Sequence, residues 1–526
     1  MFPNTAVRHG GVNSISTKRK NEAYGGSRSA KPSVSPSSAA HSMQVSGSLN
    51  VLQTIGGSGR IGTVVTPSSS SIHGSLPSGT NTQFAGSARG SDAGKANSIR
   101  CRTPQMQLII AELSGARQDL PVLRYRTDLD KHVIHFAFRR FPRSVEIIED
   151  EEITAGEWHF FWMSVGRVRS LFASSEYRLT DSQIINHFPN HYELTRKDLM
   201  YKNIKKYIKD PNNVLLRLPY NIVQQAVKNS ANVAGLRFAD CVPITYNIPN
   251  DLAMFEEEFR RQPGSTWIVK PTARSQGRGI FLVNRMSQLK KWLKDRRDTE
   301  EFDGVVAMQS FVVSKYIRDP LLIGGKKFDL RLYVLVTSFK PLVAYLHEKG
   351  FARFCATRYV ANAMTDEDLG SHLTNVALQK GEKEYNASHG GKWSFVNLLL
   401  FIQGRYGAAA ADGLMYGIEF VIYHSLRALE SVMFNDRHCF ELYGYDILVD
   451  SQLRPHLIEV NSSPSLSTTT MADRLLKEEV LQDVFQVVFP PDFPSSSAMP
   501  YWEYRLRTDL TTALPTGFRL LQVAEC

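Results

Sequence analysis

The sequence predicts a mixed α/β (α+β) body with a disordered tail in front of it, and three features lead there. The first hundred of the 526 residues hold 21 Ser and 14 Gly, and their ten Lys or Arg face only two acids, Glu22 and Asp92, which accounts for +8 of the chain's +11. From Gln107 onward, strand-length apolar runs alternate with longer amphipathic ones, the pattern of helices and sheets sharing a core. The rest of the chain carries 52 basic and 49 acidic groups. The body is therefore close to neutral, and the overall basicity gives no argument for a nucleic-acid partner.

In chain order, residues 1–100 lack the large apolar groups that offset chain entropy and read as a disordered basic tail. Mitochondrial transit peptides share this composition, but no amphipathic stripe precedes Val51. Residues 101–200 read as a small N-terminal domain. Near its end a helix is predicted with Thr195 as N-cap and Leu199, Tyr201, Ile204 and Tyr207 as its buried stripe. A central domain follows at 201–312, with the strand Thr266 to Lys270 and an Asn-rich loop or insertion at 210–240. The segment 313–490, with the strand Leu330 to Val336, forms a C-terminal domain. Beyond Phe489 the prolines Pro490, Pro491, Pro494 and Pro500 break periodicity, so 491–526 reads as a tail. The longest apolar stretch, Phe395 to Ile402, is far short of the ~20 residues that cross a bilayer, and no membrane partner is expected. Five cysteines lie far apart with no C-x-x-C pair, which fits a reducing compartment and gives neither a disulfide framework nor a zinc module.

Three segments carry chemistry. Gly444 to Val449 and Pro455 to Asn461 are apolar strands joined by a short polar turn, a β-hairpin. Folding it symmetrically sets Asp446 opposite Glu459, and alternation puts Asn461 on the same face as Glu459. These hard oxygen donors at one end of the hairpin suit Mg²⁺; solvated acids on an edge hairpin are the plainer alternative. In Lys326 to Leu332, alternation puts Lys327, Asp329 and Arg331 on one face and Phe328, Leu330 and Leu332 on the other. Two cations around an acid suit a polyphosphate, and equally a salt-bridge ladder. Lys270 ends a strand and is followed by Arg274-Ser275-Gln276-Gly277-Arg278-Gly279, a loop able to close over phosphates with backbone N–H groups. It is neither a Walker A sequence nor a G-x-G-x-x-G fingerprint.

Together these segments resemble the ATP-grasp architecture and, within it, the polyglutamylase branch of the tubulin tyrosine ligase-like family. The resemblance runs from about Asn190 to Phe489 through six motifs in family order. They are His191-Tyr192-Glu193-Leu194-Thr195-Arg196-Lys197, the Trp267 to Ile280 loop, Pro320 to Arg331, His372 to Ala377, Gly390-Gly391-Lys392-Trp393 and Ile458 to Leu466. The resemblance implies that Lys270, Gln276 and Gly277 bind ATP phosphates, that Lys327, Thr374 and Asn375 contact ATP, and that Ser314-Lys315-Tyr316-Ile317 is the adenine hinge. The family usually has a glutamine in that hinge, and its absence here implies that the hinge meets adenine through backbone groups. Arg331 matches a phosphate-stabilising position, and Asp446, Glu459 and Asn461 match the magnesium ligands, with Glu459 and Arg331 as the catalytic pair. Arg353 and Lys392 match the positions that hold an incoming glutamate. A dicarboxylic amino acid needs two fixed cations, and their separation in sequence implies that they approach it from different sides.

The implied activity is ATP-dependent ligation of free L-glutamate to the γ-carboxylate of glutamates in acidic tubulin C-terminal tails, with Mg²⁺ as cofactor and ATP as co-substrate. Lys202, Lys205, Lys206, Lys209, Lys290, Lys291, Lys294, Arg296 and Arg297 offer positive surface to such tails, or are only solvated helix faces. No basic block follows Phe489, so microtubule affinity is expected from a partner subunit or from the basic tail. Cytoplasm and cytoskeleton, with cilium, flagellum or basal body, are the implied locations. Rival readings are glycylation or tyrosination of tubulin, and a non-catalytic microtubule or ciliary adaptor retaining the fold. Intact magnesium ligands speak against the adaptor, and the absence of His-Arg-Asp and Asp-Phe-Gly motifs speaks against a protein kinase.

Overall fold

The computed structural model describes residues 122–522, apart from 142–143, 147–157, 174–177, 212, 214–235, 273–276, 303–309, 362–368, 383, 387–390, 496–498 and 511–515. The basic tail at 1–100, Gln276 and residues 212 and 214–235 of the insertion at 210–240 lie outside the described residues, as do the side chains of 297–302. The described residues belong to one compact unit, 98–526, in which three sheets follow one another along the chain.

The first sheet is parallel and short-stranded: β1 (Leu123–Thr127), β2 (Ser144–Glu146), β3 (Phe160–Trp162) and β4 (Ile184–Ile185), in the order β2-β1-β3-β4. The second is antiparallel, with β5 (Thr245–Ile248), β6 (Trp267–Pro271), β7 (Phe281–Val283) and β8 (Phe311–Lys315) in the order β5-β8-β6-β7. The third joins β9 (Leu322–Ile323), β10 (Lys326–Phe339), β11 (Leu342–Phe354), β12 (Lys392–Ser394), β13 (Glu441–Val449), β14 (Pro455–Asn461) and β15 (Phe518–Leu520). Its main path is β12-β11-β10-β13-β14, with β9 paired to β10 and β15 to β11. Helices cover it. Ser394 caps the helix Phe395–Tyr406 by accepting from the Asn397 N–H, and Thr470 caps Met471–Val488 by accepting from that of Asp473.

β10 explains where a site can form. Phe328, Leu330, Leu332, Val334 and Val336 point into one core cluster with Leu398, Ile418 and Tyr445. On the opposite face Tyr333 and Leu335 belong to a second cluster with Phe160, Tyr345 and Phe485, while Lys327, Asp329 and Arg331 are buried polar groups. The same face thus passes from apolar to charged between Tyr333 and Arg331, and the core gives way there to a cleft. Beside it, the hairpin forms in the expected register, with Asp446 opposite Glu459 and Gly444 opposite Asn461; a bulge after Asp446 then sets Ile447 opposite Leu457.

Two expectations need correction. Thr195 does not cap a long helix: its hydroxyl donates to the His191 carbonyl at 3.2 Å and closes a short turn, Tyr192–Thr195. The helix proper is Lys197–Lys209, with Met200, Tyr201, Asn203 and Ile204 buried and Leu199 and Tyr207 only half-buried. Nor is 491–526 a loose tail. Tyr501, Tyr504, Leu510 and Phe518 are buried in the second core cluster, and β15 joins the main sheet. Prolines interrupted the periodicity without removing the anchors, because Tyr and Phe bury large areas even from short, irregular segments.

Candidate active site

A cleft lies between the second sheet and the charged end of the third. Lys270, Gly277, Ser314, Lys315, Tyr316, Ile317, Lys327, Thr374, Asn375, Arg353, Asp446 and Glu459 all line it. On one wall Ile268 and Ile280 pack with Tyr316 and Leu373 in an apolar cluster.

Sheet register builds the charged wall. Asp329 on β10 sits opposite Arg353 on β11, and Arg331 sits opposite Asp446 on β13. Arg353 donates to both oxygens of Asp329 at 2.7 and 2.6 Å and to Asp446 at 2.8 Å. Arg331 donates to Asp446 at 2.6 and 3.1 Å, and the Thr374 hydroxyl to Asp329 at 2.6 Å. Glu459 receives Lys197 at 2.9 Å. Burial opposes the charge of Glu459, but Lys197 and Lys270 outweigh it and hold the carboxyl below the usual range. Burial pushes the Asp446 carboxyl up while Arg331 and Arg353 pull it back. Guanidinium groups do not deprotonate in proteins, so a carboxylate that accepts three of their N–H bonds is ionised. Burial brings Lys270 down to about 8, against the pull of Glu459, and also lowers Lys327. Lys197, Lys270, Lys315, Lys327 and Arg353 on the wall outnumber Asp329, Asp446 and Glu459, so the cleft favours an anion; Arg331 is not on the wall and reaches it only through Asp446.

The donor set fits a hard divalent cation. Asp446 and Glu459 face each other, and the Asn461 amide nitrogen donates to the Gly444 carbonyl at 3.2 Å, leaving the amide oxygen as acceptor. Two carboxylates and an amide oxygen are a set that Mg²⁺ accepts while keeping water and phosphate as further ligands. No group of three or more His, Cys, Asp and Glu placed to hold a metal occurs among the described residues, so such an ion would depend on the nucleotide and water for the remainder.

Gly277 has a φ of +76°, and a Cβ there would lie 2.8 Å from Leu378 Cδ1 and 3.0 Å from Asn375 Oδ1. Only glycine lets this loop close against Asn375. In the hinge, the Ser314 hydroxyl accepts from Thr245 at 2.8 Å, and the N–H groups of Lys315 and Tyr316 are taken by the carbonyls of Ile244 and Thr266. A ligand lying against this segment would have only its other backbone groups to bind. Arg353 and Lys392 are register partners on β11 and β12. They stand side by side, contrary to what their distance in sequence implies, because a sheet brings remote strands into contact. Lys392 pairs with Asp473 at 3.1 Å and lies 4.7 Å from the Phe351 ring, beside the cleft rather than on its wall.

The model of the Tubulin-tyrosine ligase family matches residues 174–497. The chain belongs to that family. It is 43% identical over 379 residues to the probable alpha-tubulin polyglutamylase Ttll1 of Tetrahymena thermophila, covering 72% of this chain and 88% of that protein. It is 37% identical over 398 residues to the probable tubulin polyglutamylase TTLL9 of Rattus norvegicus, covering 71% and 80%, and 38% identical over 333 residues to ttll-9 of Caenorhabditis elegans, covering 63% and 73%. The body described above is accordingly an ATP-grasp-type one.

For this tubulin-tyrosine ligase family member, sequence reasoning missed Lys197, Tyr201 and His372 on the cleft wall. Lys197 had a signal: it is the first residue of its helix, where the dipole disfavours a cation, so something outside the helix had to hold it. His372 had none beyond its place in a motif.

Proposed function

We propose that the chain is an ATP-dependent tubulin polyglutamylase. The γ-carboxylate of a glutamate in an acidic tubulin tail attacks the γ-phosphorus of ATP, and ADP leaves. The amine of free glutamate then attacks the acyl phosphate, phosphate leaves, and an isopeptide bond is formed. Lys270 and Lys327 bind phosphates, Gly277 brings loop N–H groups to them, and Arg331 offsets charge on the transferred group. Asp446, Glu459 and Asn461 would hold Mg²⁺, which when bound neutralises phosphate charge. Lys392, with Arg353 beside it, holds a carboxylate of the incoming amino acid. The microtubule cytoskeleton, including that of cilia or flagella, is the proposed place of action.

One observation carries this reading: a carboxylate pair set in register on a hairpin and faced by four cations, Lys197, Lys270, Arg331 and Arg353, in a cleft whose other wall is apolar. The test is incubation of the full chain with microtubules, Mg²⁺, ATP and equal glutamate, glycine and tyrosine, followed by mass spectrometry of tubulin tails. Glutamyl increments that require ATP are expected. Glycyl or tyrosyl increments would move the chain to another branch of the family, and no increment would leave the adaptor reading.

A further inference from the structure

Lys327 is held by a second layer of side chains that the reading above does not use. Its Nζ donates to the Tyr316 hydroxyl at 2.9 Å, and it lies 4.5 Å from the Tyr316 ring and 5.9 Å from that of Tyr359. The Tyr316 hydroxyl is also 2.8 Å from His372 Nδ1. All three residues are buried, and Tyr316, Lys327 and His372 share the cleft wall.

Donor counting gives this chain of contacts a direction. An ammonium group has no lone pair, so Lys327 must donate and the Tyr316 oxygen must accept. With His372 Nδ1 as the unprotonated ring nitrogen, the single hydroxyl proton points to it. Tyr359 donates its hydroxyl proton to the Arg318 carbonyl at 2.8 Å and is also a hydrogen-bond neighbour of the Tyr316 hydroxyl. Cys355 and Asp329 are the other ionisable groups near Lys327. The ammonium group is thus aimed by a relay that begins at a helix end, Leu369–His372, and passes through a hinge residue.

We propose that Tyr316 and His372 are positioning residues that aim Lys327 at the nucleotide phosphates, so that the hinge and the phosphate end of the cleft are mechanically one unit. This rests on the reading that the cleft binds ATP. It also explains why a hinge whose N–H groups are partly taken keeps a tyrosine: the ring packs in the apolar wall while the hydroxyl works at the other end.

The test is competition binding of ATP and of adenosine to the full chain, with melting temperature as a check on folding. Tyr316→Phe keeps the ring and removes only the hydroxyl. ATP affinity is expected to fall by roughly tenfold, the scale of a lost hydrogen bond to a charged group, with adenosine affinity unchanged. His372→Asn, whose amide oxygen can stand in for Nδ1, should stay within about twofold of wild type, and His372→Ala should repeat the Tyr316→Phe loss. Equal losses for ATP and adenosine in Tyr316→Phe would mean that the residue only packs, and an unchanged ATP affinity would overturn the relay. An innocuous His372→Ala would remove the histidine from it. Wild-type protein that binds no ATP would instead sink the nucleotide reading itself.

Discussion

Asp446 and Glu441 lie on the same strand, β13, and are equally hidden from water, at 2% and 0% exposure, yet their surroundings differ completely. Asp446 faces the cleft and accepts from two guanidinium groups. Glu441 faces the opposite way, where His187 Nδ1 lies at 3.0 Å and the Phe188 N–H donates at 3.2 Å. Burial pushes Glu441 up to about 8 and His187 down to about 4. Between those values the pair is a carboxylic acid beside a neutral imidazole. Burial alone therefore does not decide whether an acid on this strand carries charge; the neighbours do. Charge is retained only on the side where an ion or a phosphate would use it.

The largest expected effect breaks the charged side. Asp446→Asn and Glu459→Gln should each lower the initial ligation rate by about 10²–10³-fold, the scale of removing one preorganised transition-state contact; near-normal rates would end the magnesium assignment. Next, Arg353→Ala should cost about 3–5 kcal/mol of folding stability, read as a lower melting temperature, because it strips a cation from two buried carboxylates. The same contacts, together with Thr374 on Asp329, mean that this variant disturbs the proposed nucleotide side of the cleft as well as the proposed amino-acid side. Lys392→Ala is the sharper probe of amino-acid choice. It should raise the glutamate KM roughly tenfold, about 1.4 kcal/mol, while the ATP KM stays at the wild-type value, and a shift in both would place Lys392 with the phosphates. The smallest effect lies on the uncharged side. Glu441 binds its proton more tightly when folded, so it makes the native state less stable as pH rises from about 4.5 to 8, whereas His187 acts in the opposite sense between about 4 and 6.5. Above 6.5 only Glu441 is left. Wild type should therefore lose about 1–2 kcal/mol more than Glu441→Gln between pH 6.5 and 8, measured by denaturant melts at the two pH values.

The cleft was legible because most of its charged residues come from regular strands. Alternation alone grouped Lys327, Asp329 and Arg331, and symmetry about one turn paired Asp446 with Glu459. What escaped depends on contacts between remote elements. Lys197 meets Glu459 on β14 from a helix remote in sequence, and the adjacency of Arg353 and Lys392 follows from strand pairing that no local pattern reveals. Tyr501 and Tyr504 were hidden for a related reason, since a short turn between prolines has no period to read.

The same carboxyl-terminal segment has a consequence for how the protein is made. The Thr337 hydroxyl donates to the Arg505 carbonyl and the Tyr345 hydroxyl to that of Arg507, contacts separated by 168 and 162 residues of chain. Proteins emerge from the ribosome amino terminus first, so β10 and β11 wait through all of that synthesis before their last neighbours exist. During the wait Tyr345 and Phe351, buried in the finished fold, lack part of their cover. A chain arrested just after Val488 would hold every residue assigned to the cleft and still present an unfinished apolar face, making it a substrate for chaperones or for aggregation before it could be an enzyme.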